Sequence, residues 1–230
     1  MHEFMVMILA NEAEEARLTP AETRTMVEGH SEFERSLGAA FRDGERLRPS
    51  GEGRRVSVRD GKTHVETGPF GELALGGYYL VQAENLDAAV ALAKQCPMAP
   101  GTSLDVRPVM NGHMQPGKNT QQGRVFGFAV LGNAANEAGW IAIMDRIDAA
   151  TRDNFPAGRF LGGARLHSPT KGKRVNANKA IFDGPFLESK EVIGGIFFLR
   201  METMDEAVRW ASQSEFMKHG SLEIRELWRS

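Results

Sequence analysis

The chain has 230 residues, 41% hydrophobic and 25% charged, with 28 basic against 30 acidic side chains and a net charge of −2. That balance removes the electrostatic basis for tracking nucleic acid, and no apolar run approaches the ~18–20 residues that span a bilayer. The single Cys96 excludes an internal disulfide and any multi-cysteine metal site, which fits a reducing cytoplasm.

The chain opens on a compact apolar run, Phe4 to Ala10, with no basic segment before it, which reads as a strand rather than a signal peptide. Thr19 and Pro20 then match an N-cap and first helical position. Met26, His30, Phe33, Leu37 and Phe41 follow at helical spacing, and Asp43-Gly44 is expected to stop that helix. Arg54 to Asp60 and Lys62 to Glu66 alternate about Asp60-Gly61 as a hairpin. Gly76 to Ala83 reads as an aromatic-rich strand. Leu86, Ala89, Val90 and Ala93 mark a short helix ending before Pro97, and Leu104 to Val109 a last strand. The polar stretch from Asn111 to Arg124 reads as a linker.

The order then recurs. Val125 to Leu131 is a strand, and Trp140, Ile143, Ile147 and Ala150 define a helix face. Val175 and Ala180-Ile181-Phe182 supply a hairpin, Ile193 to Met201 a strand, Met204 to Ser212 a helix, and Leu222 to Trp228 the final strand. Individual phrases repeat as well. Gly68-Pro-Phe returns as Gly184-Pro-Phe, Gly76-Gly-Tyr-Tyr-Leu as Gly194-Gly-Ile-Phe-Phe-Leu, and Leu104-Asp-Val-Arg as Leu222-Glu-Ile-Arg, at an offset of about 118 residues. Two domains are therefore expected, 1–110 and 125–230, joined by 111–124. The fold class is α+β: two tandem ferredoxin-like βαββαβ units, each an antiparallel sheet with helices on one face. The strand at 195–199 is apolar on both sides, so the units are expected to pack sheet to sheet as an intrachain pseudo-dimeric α+β barrel.

At Asp183-Gly-Pro-Phe-Leu-Glu-Ser-Lys-Glu-Val-Ile-Gly-Gly, joined to Met204-Asp-Glu-Ala-Val-Arg-Trp-Ala and Leu222-Glu-Ile-Arg, the second half resembles the YCII-related (DGPF-domain) family. Leu166-His-Ser-Pro-Thr-Lys-Gly-Lys-Arg-Val is similar to the family's segment before the signature. The first half resembles it through Leu47-Arg-Pro-Ser, Gly68-Pro-Phe and Leu104-Asp-Val-Arg-Pro-Val, with Thr67 in place of the signature Asp. The resemblance implies a dimeric α+β barrel of domains, a family largely without assigned activity, an acid–base site of His and Asp in some relatives, and a link to sigma factors in others.

Six residues are candidates for chemistry. Asp183 opens a turn in which its carboxylate either bonds its own backbone or orients a His or a water. His167, sixteen residues upstream, is either an exposed loop residue or the imidazole that pairs with Asp183 for proton transfer. His30 sits on an apolar helix face, either simply satisfied there or pointing toward a ligand pocket. Glu188 follows the signature turn, on a solvated edge or in a hydrogen bond common to both repeats. Arg107 and Arg225 hold equivalent places in the last strands, and an inward Arg needs a carboxylate or an anionic ligand. His2, His30, His64, His113, His167 and His219 have no metal-ligand spacing, so no metal and no cofactor are expected.

Two function classes follow. One is a small-molecule enzyme of general acid–base type, with His167 and Asp183 as the pair and Arg225 steering an anionic group. The other is a non-catalytic ligand-binding or regulatory protein associated with transcription control. The expected partner is a small anionic ligand, without nucleic acid or membrane, and the internal pseudo-dimer is expected as a monomer or homodimer. Because the intact Asp-Gly-Pro-Phe occurs once, a ligand is expected nearer the second repeat.

Overall fold

A computed structural model describes residues 1–114, 123–132, 139, 141–142, 145, 155–156, 158–184, 192–218 and 220–228. The first repeat runs β1 (His2–Ala10), α1 (Glu12–Glu15), α2 (Pro20–Leu37), β2 (Phe41–Arg46), β3 (Arg54–Arg59), β4 (Lys62–Thr67), β5 (Ala74–Ala83), α3 (Leu86–Ala93) and β6 (Ser103–Met114). The second contributes β7 (Arg124–Gly132), β8 (Phe160–Leu166), β9 (Lys173–Asn176), β10 (Ile181–Asp183), β11 (Val192–Met201), α4 (Met204–Gln213) and β12 (Ser221–Glu226). Trp140, Ile143, Ile147 and Ala150 lie outside the described residues.

Local chemistry accounts for the helix ends. Thr19 and Glu22 form a reciprocal capping box before Pro20, satisfying two amide donors that the first turn leaves free. Helix α2 ends at Leu37, where Gly38 turns the chain at φ 50°. Asp43-Gly44 therefore does not stop the helix, contrary to the sequence expectation. It lies inside β2, paired with Leu80 and Tyr79 of β5. The helical spacing that reaches Phe41 is coincidental there, because two residues of a strand also present alternate faces. Strand β6 likewise runs to Met114, four residues into the expected linker, and pairs there with β8.

Neighbouring strands are antiparallel in the order β2-β5-β1-β6-β8-β11-β7-β12-β3-β4. Strand β6 of the first repeat is thus hydrogen-bonded to β8 of the second. At the other end Leu47 bridges Leu227, and Trp228 N donates to Arg46 O at 2.7 Å, so the chain after β2 meets the chain after β12. The hairpins cross between repeats. The β3–β4 hairpin of the first repeat pairs with β12 of the second (Val56 opposite Leu222), and β9 of the second pairs with β6 of the first (Val175 opposite Leu104).

Side chains alternate between two kinds of core. On the helix side of the first repeat Phe4, Val6, Tyr79 and Val81 pack with Phe33, Leu37, Ala89 and Val90. On the helix side of the second, Phe126, Phe128, Phe197 and Leu199 pack with Ala207 and Ala211. The opposite faces join in one cluster, Met5, Met7, Tyr78 and Leu80 from one repeat with Leu161, Leu166, Ile196 and Phe198 from the other. This alternation explains the continuous apolar runs: a strand buried on both faces cannot show a polar side.

Candidate functional site

Arg225 on β12 and Arg107 on β6 each leave only 2% of their surface exposed. Neither is directed at its own repeat alone. Arg225 Nε donates to Arg48 O at 2.7 Å, Nη2 to the same carbonyl, and Nη1 to Glu223 at 3.1 Å, with Glu12 3.4 Å away. Arg107 repeats the pattern with the opposite loop, donating through Nε to His167 O at 3.0 Å, through Nη2 to the same oxygen, and through Nη1 to Ile193 O. Burial lowers the Arg225 pKa from its ordinary value, while Glu223 and Glu12 oppose that shift. Each arginine therefore fastens the loop of the other repeat, as carbonyl-directed forks do.

The fastened loops are equivalent 3₁₀ turns, Ser50–Glu52 and Pro169–Lys171. Each is followed by a glycine that the guanidinium stem requires: a Cβ on Gly53 would lie 2.6 Å from Arg225 Cδ, and one on Gly172 2.7 Å from Arg107 Cγ. The glycine of each Gly-Pro-Phe turn lies on the same loop, with Gly68 against Ser50 O and Gly184 against Pro169 O. Glu12 on α1 completes the first loop by accepting from Ser50 N at 2.7 Å and from its hydroxyl. The repeated phrases of the sequence thus form two arginine-centred clasps.

The clasps differ where the signature differs. In the second repeat Asp183 stands opposite Lys173, with its carboxylate 3.7 Å from Lys173 Nζ and 85% exposed. In the first repeat the same register sets Thr67 opposite Arg54. Threonine has no charge to offer. Arg48 pairs with Glu52, Arg124 with Glu226, Arg55 with Glu223, and Arg225 with Glu223 and Glu12. Arg54 Nη1 bonds Gly53 O at 2.8 Å and Glu52 O at 3.4 Å, both neutral carbonyls. Among the described residues of this cluster, Arg54 is the guanidinium without a carboxylate.

Arg54 borders a cavity of about 90 Å³ also lined by Arg48, Arg124, Arg225, Glu52, Glu226 and Met204. Four guanidiniums face two carboxylates, and Met204 opens the first turn of the ten-residue helix α4, whose amide dipoles add positive potential. Both repeats contribute walls. The cavity adjoins Arg54, the cross-strand neighbour of Thr67.

The remaining candidates have other neighbours. The Asp183 carboxylate lies 3.7 Å from Lys173 Nζ, and the backbone of His167 accepts from Arg107 and donates to Pro108 O at 3.0 Å. Glu188 lies outside the described residues. His30 is half-buried on α2, with Nδ1 3.0 Å from the Tyr79 hydroxyl and 3.9 Å from Cys96 Sγ. Burial, with a smaller effect from Arg46, lowers its pKa to about 4, so the ring is neutral at pH 7. Burial also pushes Cys96 up to about 12, leaving an unreactive thiol.

Sequence reasoning missed Arg54, Glu12 and the two loops. The signal was present in the parallel phrases around Ser50 and Ser168, but their shared role depends on an arginine about 60 or 177 residues away.

A family model described as the YCII-related domain matches residues 3–113 and again 120–230. No curated protein matches. Among solved structures, an "anthrone oxidase-like protein" has 8% identity and a TM-score of 0.43, covering 99% of this chain and 91% of that one. A "Putative monooxygenase" from Fusobacterium nucleatum has 10% identity and a TM-score of 0.46, covering 99% and 92%. Among the described residues no helix is long and apolar enough to cross a membrane.

Proposed function

Both halves of this chain belong to the YCII-related family, and on that footing we propose that the protein binds a small anion, a phosphate or carboxylate group, in the cavity between its repeats. The observation that carries the reading is Arg54, a half-buried guanidinium at the cavity wall whose neighbouring arginines all have carboxylates while, among the described residues, it has carbonyls alone. An oxyanion supplies the missing partner as a charge-assisted, two-pronged acceptor. Size points the same way. Each enclosed water needs ~10–15 Å³, so the cavity holds roughly six waters, whereas drug-sized ligands occupy ~300–1,000 Å³. The site fits the charged head of a metabolite, with any larger body outside.

The acid–base enzyme reading has less support, since Asp183 is exposed beside Lys173 and the cavity carboxylates are held by arginines. The finer architecture accompanies the proposal: residues 1–110 and 125–230 act as two ferredoxin-like units closing an internal pseudo-dimeric barrel. The shared apolar cluster and the Leu47–Leu227 bridge support it. A ligand between the units would then stabilise the closed arrangement by mass action.

The test is calorimetric titration of the full chain with inorganic phosphate, sulfate and oxalate at low ionic strength. Arg54→Met should weaken binding about 10- to 100-fold, the worth of one charged hydrogen bond of ~1.5–3 kcal/mol. Absence of binding by all three anions, or affinity unchanged in Arg54→Met, would overturn the assignment.

A further inference from the structure

Strand β4 ends the strand order, and all six of its residues are exposed. Its hairpin turns through Asp60 and Gly61, both at positive φ (51° and 71°), the two-residue type I′ turn. In such a turn the flanking pair, Arg59 with Lys62, exchanges both hydrogen bonds. Lys62, His64 and Glu66 therefore direct their backbone groups to β3, and Thr63, Val65 and Thr67 direct theirs outward. Among the described residues these outward groups have no partner, and a row of such donors and acceptors is a template for another strand.

We infer that β4 is a self-pairing edge whose partner is a second copy of this chain, joined antiparallel about a two-fold axis through His64. In that register Thr63 lies opposite Val65 of the second copy, so the outward amides and carbonyls bond each other. Lys62 lies opposite Glu66 of the second copy at a non-hydrogen-bonded pair, where side chains approach most closely. Symmetry makes the charge contact twice. Glu66 is only loosely engaged within the chain, 3.4 Å from Arg59 with both groups well exposed. No ion pair to Lys62 occurs among the described residues.

Apolar surface follows the same edge. Val56 is fully buried under α4, and Val65 beside it and Val58 two residues on, 47% and 37% exposed, continue its face toward the hairpin tip. A second hairpin placed alongside would continue that strip, bringing Thr63 of the second copy beside Val65. Strand β10, the counterpart in the second repeat, has three residues and ends on Asp183, too short for this ladder. An edge of six residues is small against the ~1,200–2,000 Å² of stable interfaces, so the dimer is a reversible one of micromolar or weaker affinity.

Sedimentation velocity of the full chain from about 1 µM to about 1 mM should show a shift from the 25.3 kDa monomer toward twice that mass. Lys62→Glu should weaken association about tenfold, because both symmetry-related contacts become repulsive together. The double variant K62E/E66K should restore it. Val65→Pro, which removes an outward amide, should abolish it, with circular dichroism checking that the hairpin survives. A monomer at every concentration, a dimer indifferent to Lys62→Glu, or a double variant that fails to recover would each overturn the assignment.

Discussion

Lowering the pH through the range where unfolded histidine titrates should destabilise this protein through His30. In the fold the ring sits between α2 and β5, its Nδ1 3.0 Å from the Tyr79 hydroxyl, with Phe33 edge-on to Tyr79 and Cys96 beside it. At neutral pH the ring and the tyrosine hydroxyl share a hydrogen bond whose direction follows the imidazole tautomer. Protonation would leave a charge in a site where burial is the main objection and Arg46 adds to it. The folded pKa of about 4 lies below the ordinary 6.5, so the unfolded chain binds the extra proton first. Stability is then unaffected above pH 6.5, falls as pH drops from 6.5 to about 4, and levels off below. The gap corresponds to a ceiling of about 3 kcal/mol at 1.36 kcal/mol per unit, and a half-buried ring should realise about 1–3 kcal/mol. Carboxylates titrate in part of the same window, so the measurement is a difference. Urea unfolding of the wild type and of His30→Asn, whose amide can still meet the Tyr79 hydroxyl, is compared at pH 7, 5.5 and 4.5. The wild type should lose the extra free energy. Parallel losses in the two proteins, agreeing within about 0.5 kcal/mol, would refute the reasoning.

Arg225→Met should cost about 3 kcal/mol in urea unfolding by leaving the Arg48 carbonyl and part of the Glu223 charge without their donor, and Arg225→Lys should not restore it because an ammonium cannot reproduce the fork. Phe198→Ala, in the cluster built from both repeats, should cost about 3–5 kcal/mol and still give one unfolding transition; two separated transitions would show that the repeats do not share a core. Thr67→Asp should weaken anion binding about tenfold by giving Arg54 the cross-strand carboxylate that Lys173 has in Asp183, and unchanged affinity would remove Thr67 from the explanation.

Much of the secondary structure was legible because it follows from local chemistry. The Thr19–Glu22 capping box, the Asp60-Gly61 turn and the β5–α3 and β11–α4 sequences all rest on residues within a few positions of one another. Strands β2 and β8 were not read. In β2 the residues Asp43, Gly44 and Glu45 carry turn and polar signals, yet pairing with β5 overrides them. In β8 Gly162 and Gly163 interrupt the apolar pattern that marks a strand.

The sequence by itself determined the tandem duplication, the two-faced burial of the central strands and the equivalent places of Arg107 and Arg225 in the last strands, since each follows from repeated phrases or from apolar residues on both sides of a strand. Only the tertiary structure decided that the hairpins cross between repeats, that each arginine clasps a loop of the opposite repeat, and that among the described residues Arg54 meets no carboxylate. Those facts depend on which strand edge lies beside which. The β3–β12 and β6–β9 pairings join segments 168 and 71 positions apart at Arg55–Glu223 and Leu104–Val175. Backbone hydrogen bonding is indifferent to sequence, so such pairings are chosen by how the two buried faces close on each other, a property of the whole fold.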